Sequence, residues 1–147
     1  MTKIKIGDFI PSFALLNQHG ETVSSDQFRG KKLVIFFYPK DNTPGCTAEA
    51  CSFRDNYGLF KAKGTEILGI SSDSVETHKK FAKKHNLTYS ILSDGKGKVR
   101  KLFGVPKILG FIPGRVTYMV DENGKVVHIF DALLDSKRHI QEALSSI

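Results

Sequence analysis

Two cysteines, Cys46 and Cys51, stand in the run Thr43-Pro44-Gly45-Cys46-Thr47-Ala48-Glu49-Ala50-Cys51, shortly after the apolar stretch Leu33-Val34-Ile35-Phe36-Phe37-Tyr38. Pro44 suits the first position of a helix, because its φ is already helical and its missing N–H would have had no intrahelical partner. Thr43 is the expected cap before it. Cys46 then falls in the first turn, where unpaired N–H groups and the positive end of the helix dipole favour a thiolate over a thiol. The thiolate is the reactive form of cysteine, so the pattern points to nucleophilic or redox sulfur chemistry.

The second thiol narrows that chemistry. In a regular helix the Cα atoms of Cys46 and Cys51 are roughly 8.7 Å apart, from a rise of about 1.5 Å and a radius of about 2.3 Å. A disulfide tolerates at most about 7 Å. The pair can therefore bridge only if the helix start unwinds, which suits a resolving role for Cys51, attacking an oxidised Cys46, better than a permanent staple. Two other readings stay open from these residues alone: inert buried thiols, or metal ligands. Structural zinc takes about four closely spaced ligands, whereas His19, His78, His85, His128 and His139 are scattered singly.

A helix terminus does not suffice for an activated thiol. Moving an ordinary thiol from a pKa of about 8.5 to about 6 takes about 3.4 kcal/mol, and a helix end supplies about 0.3–1 kcal/mol. A fixed cation is needed, and arginine is rigidly forked and always charged. Arg115, at the start of an apolar strand, is the candidate, although in isolation it reads as an ordinary edge-of-strand surface residue.

These residues need a scaffold. Phe13 to Leu16, a Gly20-containing turn and Thr22-Val23 predict an N-terminal β-hairpin. Leu33 to Tyr38 is apolar at every position, the pattern of a central strand covered on both faces, and Pro39 ends it. A helix from Pro44 into Asn56 or beyond, then a strand at Glu66 to Ile70, makes a strand–helix–strand crossover. Asp73 with Glu76 predicts the cap of a second helix. A strand at Tyr89 to Leu92 and a weakly helical basic stretch up to Phe103 follow. Gly104 to Gly114 reads as an irregular loop. Val116 to Val120 and Val126 to Phe130 flank Asn123-Gly124, a pair suited to the positive φ values of a tight hairpin. Asp135 caps a last helix lined by Ile140, Ala143, Leu144 and Ile147. The expectation is one α/β domain over residues 1–147, with a mixed central sheet flanked by helices.

At 40% hydrophobic and 25% charged residues the composition is that of a globular chain with one core. Two cysteines are too few for a secreted disulfide scaffold, and no apolar segment follows Met1-Thr2-Lys3 to suggest a leader or membrane span. A reducing, cytoplasmic setting is expected. The net charge of +7 admits an acidic partner, but the lysines fall in short groups that read as solvated faces, without a nucleic-acid motif. Neither specific nucleic-acid binding nor a membrane partner is expected.

The run Phe37-Tyr38-Pro39-Lys40-Asp41-Asn42-Thr43-Pro44-Gly45-Cys46-Thr47-Ala48-Glu49-Ala50-Cys51 resembles the active-site segment of peroxiredoxins, and the spacing of its cysteines that of the peroxiredoxin Q, or bacterioferritin comigratory protein, subfamily. Gly7 to Phe13, Gly69 to Val75 and Gly114 to Asp121 resemble other segments of that family, so the likeness spans nearly the whole chain. It implies a thioredoxin-like fold and a thiol peroxidase acting on hydrogen peroxide and organic hydroperoxides. By position it implies Cys46 as the peroxidatic cysteine, Thr43 and Arg115 as its activating partners and Cys51 as the resolving cysteine. It implies no metal or organic cofactor, and recharging by thioredoxin or a similar dithiol. With no cysteine after Cys51, disulfide-linked subunit exchange is not expected, and a monomer is the expectation with a weak dimer left open. Protein thiol–disulfide exchange and a non-enzymatic redox switch are the rival readings; the first usually carries Cys-x-x-Cys, which this chain lacks.

Overall fold

The computed structural model describes residues 3–108 and 112–147. A hairpin of β1 (Ala14–Asn17) and β2 (Thr22–Ser24) is followed by a 3-10 turn at Ser25–Phe28 and the central strand β3 (Lys32–Phe37). Helices α1 (Pro44–Asp55) and α2 (Tyr57–Ala62) lead to β4 (Thr65–Ser71), α3 (Val75–His85), β5 (Ser90–Ser93) and α4 (Lys98–Phe103). Short β6 (Lys107–Ile108) and β7 (Ile112–Pro113) precede β8 (Val116–Val120), β9 (Val126–Asp131) and α5 (Ser136–Ser145). The main sheet runs β2-β1-β5-β4-β3-β8-β9. β3 pairs parallel to β4 and antiparallel to β8, so the crossover and the late hairpin meet on the one strand that ends at the cysteine helix.

The unbroken apolar run of β3 is explained by its two covered faces. Leu33, Ile35 and Phe37 join one core cluster with Leu68, Phe103 and Tyr118. Val34, Phe36 and Tyr38 join the other, with Ala50, Phe53, Phe81, Ile140 and Cys46 itself. Strand alternation therefore carries Cys46's helix onto the second face. Phe36 stacks on Phe53 with centroids 4.5 Å apart, and a Cβ on Gly69 would come within 2.8 Å of the Phe36 ring. Glycine at 69 is what lets β4 lie beneath that stack.

Three local expectations change. The Gly104 to Gly114 stretch is not wholly irregular: β6 and β7 form a two-stranded ladder, while residues 109–111 of that expectation lie outside the described residues. The β8–β9 turn is not a two-residue Asn-Gly turn. Only Gly124 has positive φ there, and Asp121 Oδ1 accepts from the N–H groups of Asn123 and Lys125, an acidic side chain organising a wider loop. Ser74, not Asp73, caps α3, by accepting from Thr77 N at 3.1 Å. Asp73 is instead drawn inward, to Asp41 N and the Ser71 hydroxyl.

Candidate active site

Thr43 precedes Pro44 in extended conformation, as a cap should, but its hydroxyl does not cap the helix. It donates to Lys40 O at 2.8 Å. Among the described residues no side chain caps the start of α1, and its first turn holds no acidic residue. The positive pole of the helix is thus left to Cys46 and whatever approaches it.

Cys46 is 1% exposed. Its Sγ accepts from Arg115 Nη2 at 3.2 Å. The guanidinium is fixed on all three nitrogens: Nη1 donates to Glu49 Oε1 at 2.5 Å and Nε to Leu133 O at 2.8 Å. Arg115 lies immediately before β8, with 4% exposure, and is no surface arginine. It reaches the sulfur past Gly45, where a Cβ would stand 3.2 Å from Nη2 and 3.3 Å from Ser136 Oγ. Ser136 Oγ donates to Gly45 O at 2.8 Å, tying the first turn of α1 to that of α5.

Glu49 is fully buried, and its Oε2 has no hydrogen-bond partner among the described residues. Burial pushes its carboxyl up to about 8, against the opposing pull of Arg115. The carboxyl therefore carries less than a full negative charge near neutrality, and Arg115 keeps most of its own charge for the sulfur. Behind Glu49 lies His139, whose Nδ1 is 3.6 Å from Oε2. Its Nε2 donates to Ala132 O, which can only accept, so Nδ1 of the neutral ring accepts from the Thr117 hydroxyl at 2.7 Å. Burial lowers His139 to about 4. The unfolded chain takes up this proton from about pH 6.5 downward while the folded protein refuses it until about 4. The associated stability is thus present above 6.5 and lost on acidification. Between those values about 3 kcal/mol should be lost, and urea titrations at several pH values should show His139→Gln without that slope.

The loop that delivers Thr43 is held by a second buried group. Tyr38 Oη donates to Asp41 Oδ1 at 2.6 Å, and Asp41 Oδ2 meets His78 Nδ1 at 2.6 Å. His78 Nε2 faces Leu92 O at 3.0 Å. Asp41, Asp73 and His78 bring ligand-type atoms within 4.8 Å of one another, but these atoms already serve each other and the Asp41 N–H. The cluster is a hydrogen-bonded joint between the loop, α3 and β5. Next to it Asn42 takes a positive φ of 65°, which asparagine tolerates better than most residues.

Cys51 lies inside α1 and is partly exposed; both thiols are free. With the helix wound through both positions, the spacing argument against a direct bridge applies to this state. All four predicted site residues fall on or beside α1. Glu49, two residues before Cys51 in the motif run, belongs to the site by its contact with Arg115. Asp41, Ser136, His78 and His139 were missed. Only Asp41, inside the motif run, carried any local signal.

A buried thiol at an open helix start, faced by a fixed arginine on a sheet of this topology, is the arrangement of a thiol-based redox enzyme. Residues 6–129 match the model of the AhpC/TSA family. Chloroplastic peroxiredoxin Q of Sedum lineare is 48% identical over 97% of this chain and 77% of its own length, and that of Triticum aestivum 47% over 99% and 67%. The Mycobacterium tuberculosis peroxidoxin BcpB superposes with a TM-score of 0.90 at 35% identity, covering 97% of this chain and 96% of that one. The Xanthomonas campestris bacterioferritin comigratory protein, described for its alkyl peroxide reduction, gives 0.82 at 30% identity over 91% and 90%. The chain belongs to the peroxiredoxins, within the peroxiredoxin Q or bacterioferritin comigratory protein group. Its fold is thioredoxin-like and its activity that of a thiol peroxidase.

Proposed function

We propose that Cys46 is the peroxidatic cysteine and Cys51 its resolving partner in an intramolecular cycle. The Cys46 thiolate attacks one peroxide oxygen in line with the O–O bond. A sulfur–oxygen bond forms, the O–O bond breaks, and the second oxygen leaves as water or alcohol after taking a proton. Arg115 and the unused N–H groups at the start of α1 stabilise charge on the two oxygens. Thr43 orients the peroxide: with its own hydrogen committed to Lys40 O, its oxygen is available to accept the peroxide O–H. Cys51 then attacks the sulfenic sulfur as the first turn unwinds, forming the disulfide and releasing water. Thioredoxin or a similar external dithiol restores the thiols by exchange.

The observation that carries this reading is the 3.2 Å approach of Arg115 Nη2 to Cys46 Sγ, a cation held on the nucleophile by two further fixed contacts. A single chain contains every residue the cycle uses, so a monomer suffices. Cycling through free thiols also fits a reducing, cytoplasmic setting. The test is rapid mixing of the reduced protein with one equivalent of hydrogen peroxide, quenching, and mapping of linkages by mass spectrometry. Fast oxidation ending in a Cys46–Cys51 disulfide is the expected result. Oxidation no faster than that of free cysteine would remove the assignment and favour a redox switch.

A further inference from the structure

The two halves of α1 are held very differently. The first turn is tied through Gly45 O to Ser136 and through Cys46 to Arg115. The second half is pinned to the end of α3 and to the residue just before β5. Tyr89 Oη donates to Ala50 O at 2.7 Å, and Arg54 Nη1 donates to His85 O at 2.6 Å, at the end of α3. The other edge of the Arg54 guanidinium, Nε and Nη2, meets Asp55 Oδ1 at 3.0 and 2.9 Å.

Arg54 is three residues beyond Cys51, on the same helix face, and long helical side chains lean back over the preceding turn. The guanidinium, with its orientation fixed by these bonds, belongs to the helix face that carries Cys51. Its proton is held more firmly than usual, first by the bonds to Asp55, against a smaller opposing effect of burial. Tyr89, fully buried and un-ionised, lies against the same turn. Lys84 and His85 of α3 line a surface depression with Thr47 and Ala48, one turn ahead of Cys51.

We propose that Arg54 is a positioning residue for the resolving step, its anchored cation steadying the negative charge on Cys51 as that sulfur attacks oxidised Cys46. The inference rests on the reading of Cys51 as the resolving thiol. Cys51 gives up its proton, the S–S bond forms, and the S–O bond of the sulfenic acid breaks. The departing hydroxide takes a proton to leave as water, so the oxidising equivalent is that delivered by the first peroxide. Arg54 and Tyr89 keep Cys51's turn wound while the first turn of α1 opens towards it.

The test follows both steps separately in wild type, Arg54→Met, Arg54→Lys and Cys51→Ser. Reduced protein is mixed with hydrogen peroxide, sulfenic acid is trapped with dimedone at intervals, and disulfide is quantified by mass spectrometry. Sulfenic acid should form at the wild-type rate in all four. Disulfide formation should slow about fivefold in Arg54→Met, the scale of one partly exposed charge contact, with more sulfinic acid under excess peroxide. Arg54→Lys should recover most of the loss. Disulfide formation at the wild-type rate in Arg54→Met would overturn the inference while leaving the resolving role intact. Equal slowing in the Lys and Met variants would also overturn it, since the effect would then be that of a peg and not a charge. Undiminished recycling of Cys51→Ser by a dithiol would instead remove the resolving role itself.

Discussion

Cys46→Ser is expected to reduce peroxide turnover to background, and Cys51→Ser to permit one turnover before the protein stalls. The difference follows from where each sulfur sits. Cys46 is buried against Arg115 at the start of α1, and a serine hydroxyl there would not ionise near neutrality, leaving no nucleophile for the O–O bond. In the proposed cycle Cys51 makes no contribution to the first attack. Its loss leaves the sulfenic acid without an intramolecular partner, exposed to a second peroxide and conversion to sulfinic acid. Single-turnover oxidation and intact-mass measurement separate the two outcomes. An equal loss of the first oxidation step in both variants would contradict the assignment.

Arg115→Met should lower the rate of the first oxidation by about 10²–10³, the usual effect of removing one donor aimed at developing charge. It should also destabilise the fold, because Glu49 would remain buried without its cation; removing one partner of a buried ion pair costs about 3–5 kcal/mol. The loss should lie at the low end of that range, since burial already favours the protonated Glu49 carboxyl. The two effects can be separated. Arg115→Met combined with Glu49→Gln removes the stranded acid, so urea denaturation should show stability largely restored while the peroxide rate stays low. Restoration of both together would mean that Arg115 acts on the reaction only by supporting the fold.

What the sequence disclosed, and what it did not, follows the reach of the forces involved. The cysteine helix, the buried strand before it and the late hairpin rest on local patterning, and each lies within a residue or so of its expected place. The thiols and Thr43 were legible because Pro44 and the preceding strand set their position on one helix. Arg115 was legible only as a requirement for charge and through family likeness. The supporting groups join residues far apart in the chain: Asp41 with His78, Gly45 with Ser136, Thr117 with His139. No periodicity marks such pairs. A histidine alone in a sequence looks the same whether it faces solvent or, as His78 and His139 do, lies fully buried between two acceptors or between a donor and an acceptor. Thr43 failed as a cap for the opposite reason. The helix start was correct, but a nearby carbonyl, Lys40 O, took the hydroxyl hydrogen.

The anchoring of α1 at both ends bears on how quickly the enzyme is ready again. Asp41 is clamped ahead of the first turn and Ala50 is held behind it, so the intervening chain runs between two anchored ends. Closing a loop of about ten residues takes about 10–100 ns, and winding a helix turn about a microsecond or less. A collision with an external dithiol is far rarer than that. In the proposed cycle, reduction of the disulfide therefore leaves a short first turn that re-forms between anchored ends within about a microsecond.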